Sequence, residues 1–527
     1  MATECQALAA GFSDEEAAEG LAITEELRTA FQRPAAASSA VAGPMAQSLE
    51  FLSVVPPELL SFILTQLDIR DLACLAATCR LLWCDAPTPP LALPTPGLVE
   101  TELRRRAEAR GLHVGSSLPE GALLWVPYLL KHEFCDALRW EAPLAVGEYH
   151  SLFVDKDGRL HLACRRDEIK SEGIGEPLLG HDWGSDAGTT TVSAPPTLVP
   201  SMQDTCIVSV ATGDLHCLAL SAEGEVYSLG ANFHGALGHA DESARLGPRR
   251  IETLERVESI ATGWLTSAAV DVRGSLFTWG RATLEDGEPT GLGYDPEMEC
   301  QLTPKRVDTL SEDRVVGVAL GYDFILAVTD AGAVFSFGSS EEGVLGHGLS
   351  TGEVLPRRIE ALAETGRRFV AVAAGQYHSL ALTEEGHVHG WGHGCTNGHG
   401  QDQPTPQRVA ALASVRVLLV YARDYFSCAV TEKGVLFTWG KGDSHSVNLG
   451  HGVAALQLTP KRVEALSHVK VAAASISNTH TLAAGADGVV WGFGERAALG
   501  LGEADALPGG FVVQPTLIPN LRMRTFP

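Results

Sequence analysis

Five residues with metal-ligating side chains crowd into one short stretch of this chain: His387, His389, His393, Cys395 and His399. Imidazole nitrogens and thiolate sulfur are the ligands zinc prefers. His387 and His389 stand two apart, so a strand would carry both on one face. Four other histidines, His150, His216, His378 and His480, hold the same place in successive copies of a repeated phrase. One per repeat, they cannot converge on a substrate, and each is expected to hydrogen-bond backbone within its own repeat. No Gly-x-x-x-x-Gly-Lys-Ser/Thr phosphate loop and no strand-coupled Gly-x-Gly-x-x-Gly is present. The eleven cysteines lack the paired spacing of zinc sites and read as buried thiols in a reducing compartment. No constellation supports an enzyme, and no cofactor is expected.

The repeat decides how these residues are held. Its clearest copy runs Gly375-Gln-Tyr-His378-Ser-Leu-Ala-Leu-Thr-Glu-Glu-Gly386-His-Val-His-Gly-Trp391-Gly392. The inner glycines are Gly158, Gly224, Gly274, Gly332, Gly386, Gly434 and Gly488, separated by 66, 50, 58, 54, 48 and 54 residues. Polar residues before each one make hairpin-turn chemistry. Eleven residues earlier stands Gly147, Gly213, Gly263, Gly321 or Gly375, replaced by Arg423 and Ser477 in the last two copies. Three and five residues after the inner glycine come large residues, such as Phe277 and Trp279 or Phe437 and Trp439. Alternation along a strand puts each pair on one face, so the copies predict stacked columns of large side chains between sheets. His389 falls in that column and is explained by packing; zinc is expected only if His393, Cys395 or His399 folds back. A Leu-Gly-His turn follows at Leu237–His239, Leu345–His347 and Leu449–His451, and a Pro-led segment closes each copy, as in Thr303-Pro-Lys-Arg-Val307. Proline confines that segment to an edge or a strand start. A unit this short cannot bury its apolar face alone and must stack into a ring.

These phrases, with Phe437-Thr-Trp439-Gly440 and Leu449-Gly-His451-Gly, resemble regulator of chromosome condensation repeats over roughly residues 140–525. The resemblance implies a mainly β fold, a seven-bladed β-propeller of four-stranded blades. The first copy runs into Cys164-Arg-Arg instead of Trp-Gly, and a Gly/Asp/Pro-rich insertion near 173–200 follows it, so irregularity is expected there. The ending Gln514-Pro-Thr-Leu-Ile-Pro519-Asn-Leu521 is expected to close the ring against the first blade.

With 527 residues, the chain has room for more than a ring. Residues 1–50 are acidic and Ala-rich and are expected to be disordered; 51–85 are a compact apolar block; 86–140 are a Pro-rich then helical linker; 141–527 hold the repeats. The net charge of −26 repels phosphate backbones, and no basic stripe is present, so no nucleic-acid partner is expected. No run of about 18 apolar residues suggests a membrane span. The opening residues lack signal-peptide character, so the expected compartment is cytoplasm, nucleus or both.

The apolar block opens Val55-Pro56-Pro57-Glu58-Leu59-Leu60. Proline suits a helix start, and Leu60, Ile63, Leu64 and Leu67 share one helical face. Asp71 sits where an acid favours the start of a second helix, which carries Leu72, Leu75 and Cys79. This block resembles an F-box, which implies docking to the Skp-type adaptor of a cullin–RING ubiquitin ligase. By that resemblance Pro56, Pro57, Leu60, Ile63, Leu64, Leu67, Leu72 and Leu75 face the adaptor. Asp71 caps the second helix, while Cys79 and Trp83 hold the third; Trp83 is one residue from the place many members use. The two resemblances together imply a substrate-recognition subunit, with propeller loops on a target protein and the chemistry left to its partners. Alternatives are a guanine-nucleotide exchange factor, though the founding member's chromatin contacts involve a basic tail and this tail is acidic; a scaffold unconnected to ubiquitin; or a light sensor. Light sensors of the family use tryptophan clusters in such turns, and here Trp264 is the one tryptophan at that site.

Overall fold

The computed structural model describes residues 143–148, 150–164, 196–282, 291–294, 299–348, 351–441, 447–453, 455–496, 498–501 and 510–523, all within one unit, Arg139–Pro527. Residues Pro56 to Trp83, which the sequence likens to an F-box, and the linker to residue 140 lie outside the described residues.

Strand pairing follows the repeat. There are seven antiparallel sheets of four strands, each with its strands in chain order. They make a seven-bladed β-propeller. The second blade shows the plan: Ile207–Thr212, His216–Ser221, Val226–Gly230 and Arg245–Arg250, from innermost to outermost strand. The inner glycine turns the second strand into the third; Gly224 takes φ +82°, a left-handed value costly for side chains with a Cβ. The Pro-led segment is the outermost strand of blades two to seven. Proline is tolerated there because one edge of that strand has no ladder partner.

The predicted columns are the seams between blades. Trp279, Trp391, Trp439, Phe337 and Phe493 are fully enclosed. Each packs against the preceding blade: Trp279 on Leu218, Leu220 and Val226 of blade two, Trp439 on Leu380, Leu382 and Val388 of blade five. The ring closes the same way, with Val146, Phe153 and Ala163 of blade one against Leu482, Val490 and Ile518 of blade seven. The glycine ending the column is forced by close approach. A Cβ on Gly392 (φ +93°) would stand 2.5 Å from the Tyr377 carbonyl oxygen.

Irregularity falls where the first copy departs from the pattern. Blade one has a three-residue inner strand, Leu144–Val146, and a two-residue outer strand, Thr197–Leu198. The chain's last outer strand, Phe511–Arg522, is the longest and belongs to blade seven. Beyond it Met523 bridges Asp155 of blade one, so the ending reaches the first blade through this bridge, while each sheet keeps its own four strands.

Candidate functional site: the channel mouth and its seams

The four repeated histidines do not bond backbone within their own blades, as the sequence suggested. Each reaches across a seam. His480 Nε2 meets Ser151 Oγ at 2.6 Å, His216 meets Ser267 at 2.9 Å, His378 meets Ser427 at 2.5 Å, and His150 meets the Cys217 thiol at 3.1 Å. Every partner is the residue just after the histidine position of the next blade. The serine hydroxyls are themselves donors, to Ala498 O, Ala236 O and Thr396 O. A hydroxyl has one proton to give, so at these three seams the histidine must donate through Nε2–H. Burial holds all four imidazoles neutral, with pKa values lowered to about 3. A neutral ring locked between strands is a fastener, not an acid–base catalyst.

Tryptophan completes the fastening. Trp279 Nε1 donates to Ala236 O at 2.8 Å, Trp391 to Val344 O at 2.6 Å and Trp439 to Thr396 O at 2.8 Å. Those carbonyls lie just before the Leu-Gly-His or equivalent turn of the preceding blade. The turn histidines staple back to the third strand, through Ser228 to His239, Ser336 to His347 and Thr438 to His451. In blade five His399 Nε2 instead lies 3.1 Å from Gly390 O, and His389 packs edge-on against Phe369. His389 and His399 of the crowded stretch thus have separate structural tasks. Among the described residues no group of three or more His, Cys, Asp or Glu is placed to hold a metal ion. Gly348-Leu-Ser-Thr-Gly352 has the letters of a nucleophile elbow, which correct an expectation that no such motif occurs. The element that follows is the strand Glu353–Arg358, whereas that motif leads into a helix.

Side chains from several blades gather at one end of the ring. In an antiparallel blade the turn between strands one and two and the turn between strands three and four lie at the same end. In five of the seven copies the residue after the repeat glycine, or after its replacement, lines a cavity there: Asp214, Trp264, Tyr322, Gln376 and Asp424. In a sixth, the Asn478 N–H donates to Asp424 Oδ2 at 2.8 Å. Trp264 stacks on Tyr322, with ring centres 4.2 Å apart and planes 12° from parallel. Arg281 lies 5.5 Å over the Trp264 ring, and Tyr377 pairs with Tyr425 at 5.8 Å.

Arg423 stands where five other blades keep glycine. Its guanidinium crosses the channel from blade six to blade two, donating to the Thr212 carbonyl and to Asp214 Oδ1, the latter at 2.6 Å. Asp424, beside it, is left with its acidity weakened to about pKa 6, first by burial and also by the charge of Asp214, against the opposing pull of Arg423. Asp323 is likewise raised to about 6 by burial, with Glu341 adding to the rise and Arg281 opposing it. Sequence reading flagged Arg423 only as a departure from glycine; its partner, 209 positions away in the chain, left no signal.

A family model described as RCC1-like domain matches residues 174–526. Among curated proteins, the E3 ubiquitin-protein ligase HERC2 of Homo sapiens is 37% identical over 376 residues, which is 69% of this chain and 7% of that protein. The ultraviolet-B receptor UVR8 of Arabidopsis thaliana is 34% identical over 229 residues, covering 43% of this chain and 49% of the receptor. Among solved structures, Prp20p from Saccharomyces cerevisiae superposes with a TM-score of 0.57 at 24% identity, over 74% of this chain and 89% of that one. That likeness supports the fold. The chain spans only a small fraction of the ligase it matches, and the alignment covers the repeats.

Proposed function

The chain belongs to the RCC1-like domain family, and from that premise we propose that it is the substrate-recognition subunit of a Skp–cullin–F-box ubiquitin ligase. The ring gives a rigid end on which loops of several blades meet, suited to holding another protein. The observation that carries the ligase reading is the block Val55-Pro-Pro-Glu-Leu-Leu60 through Trp83, placed ahead of the ring with the order of an F-box. HERC2 of Homo sapiens, named as an E3 ubiquitin-protein ligase, carries similar repeats and so lends the reading support. In it, Pro56, Pro57, Leu60, Ile63, Leu64, Leu67, Leu72 and Leu75 dock the adaptor. Burial of such an apolar helical face, at about 25 cal/mol per Å², drives the contact.

The mechanism is proximity. The chain supplies no reacting group; it holds a target lysine near a ubiquitin carrier and so raises the effective concentration of two reactants. This needs two docking faces and a connection between them, which residues 86–140 provide. Cytoplasm or nucleus would suit such a complex.

Co-expression with a Skp-type adaptor and a cullin tests the reading. The wild-type chain should capture both, and a chain lacking residues 51–85 should capture neither. Failure of the wild type to capture either, together with nucleotide exchange on a purified small GTPase, would favour the exchange-factor alternative.

A further inference from the structure

We propose that the channel mouth binds a lysine- or arginine-bearing peptide segment of the target, its cationic side chain received by the aromatic faces of Trp264, Tyr322 and Tyr377 and the carboxylates of Asp323 and Glu341. The inference rests on the target-holding reading above and gives it a substrate class.

Three observations converge. First, the walls are aromatic and half-buried, and the Trp264–Tyr322 stack already carries a guanidinium, that of Arg281. Aromatic faces attract cations through their quadrupoles, more strongly as water is excluded. Second, the carboxylates exceed the cations. Asp323, Glu341 and Glu342 lie along Tyr377, whose hydroxyl is made less acidic by burial and by their charges. Asp214 and Asp424 lie deeper, where Arg423 is the cation that they share. Asp323 has lost part of its water, and burial, with Glu341 adding to it against the opposing charge of Arg281, raises its pKa to about 6. An incoming ammonium or guanidinium would relieve that penalty.

Third, the floor of the cavity offers a donor. Arg423 Nε is shielded from solvent and faces Asp424 Oδ2 at 4.0 Å, an ion-pair distance too long for a hydrogen bond, while Nη1 and Nη2 are engaged. It lines the same cavity as Trp264, Tyr322 and Asp424. A ligand that brings a carbonyl oxygen beside a cationic side chain satisfies both the floor and the rim, and a peptide does so where a bare polyamine does not. Because Arg423 ties blade six to blade two, the segment rests on the mouth and does not thread the channel.

The test uses the full chain and two fluorescein-labelled decapeptides of Gly and Ser, one carrying three Lys and one Arg, the other four Glu. Binding is followed by fluorescence anisotropy. The wild type should bind the basic peptide and ignore the acidic one. Asp323→Asn with Glu341→Gln should weaken binding at least tenfold, and Trp264→Ala with Tyr377→Ala at least fivefold. Asp308→Asn with Glu464→Gln removes the same charge from exposed positions at the opposite end and should leave binding within twofold. Equal weakening by the two charge-removing pairs would mean general attraction to an acidic protein, and would overturn the proposal; so would absence of basic-peptide binding by a wild type with intact far-ultraviolet circular dichroism. Adaptor capture, run on the same variants, separates the two readings. Capture without peptide binding refutes this site alone, whereas peptide binding without capture refutes the ligase reading and leaves the site standing.

Discussion

Arg423 of the sixth blade and Asp214 of the second are joined across the central channel, Nη2 to Oδ1, at 2.6 Å. Both side chains are largely enclosed, 16% and 18% exposed. The other blades that keep glycine at this position have no side chain there, because a Cβ would collide: on Gly375 it would stand 2.2 Å from the His378 ring. A long cation at the sixth position therefore acts as a strut between blades that share no seam.

Removing one end of this strut leaves buried charge behind. Arg423→Ala should destabilise the ring by about 3–5 kcal/mol, and Asp214→Ala by less, since Asp424 remains near the guanidinium. The double variant should lose less than the sum, with a coupling of about 1–3 kcal/mol. Urea unfolding of the four proteins measures the cycle, and strict additivity would show that the strut contributes nothing.

The seam tryptophans predict a graded series. Trp391→Ala should cost about 3–5 kcal/mol, because a fully buried ring is removed from between two blades. Trp391→Phe keeps most of the packing and loses the N–H donated to Val344 O. That carbonyl retains Ser379 Oγ at 2.8 Å, so the loss should be about 1 kcal/mol beyond the change in volume. Shifts of the denaturant midpoint at constant slope read both values.

Acid should loosen the ring through its histidines. His150, His216, His378 and His480 are neutral in the fold, with pKa values lowered to about 3 by burial, from an ordinary 6.5. The unfolded chain therefore binds more protons between these values. The stabilisation is fully present above about pH 6.5 and is lost as pH falls toward 3. Asp323 and Asp424, raised to about 6, oppose this between their folded and unfolded values, but there are two of them with smaller shifts against four histidines. The urea midpoint should fall from pH 7 to pH 5, and less so in His378→Gln. A flat profile would mean the imidazoles are not buried neutral.

The ring itself was legible in the sequence because its grammar is local. The turn glycine Gly386, the column residue Trp391 and the bend glycine Gly392 lie within seven residues, and backbone sterics fix their roles. The histidine roles were not legible. His480 finds Ser151 at a chain separation of 329 residues, and only closure of the ring creates that neighbour. The channel mouth was hidden for the same reason. Trp264, Tyr322, Tyr377 and Asp424 come from four blades, and nothing in the spacing of one repeat says which turn residues face each other.

Capture of a purified Skp-type adaptor by the full chain bears most directly on the central claim, compared between wild type and Leu64→Asp with Leu67→Asp. The account predicts a one-to-one complex of the wild type with a dissociation constant below about 1 μM, equivalent to about 8 kcal/mol. It predicts at least a hundredfold loss in the variant, because two carboxylates enter an apolar contact, with the seam-dependent urea midpoint of the ring unchanged. No complex with the wild type would contradict the account, and equal capture by both proteins would contradict the docking face it assigns.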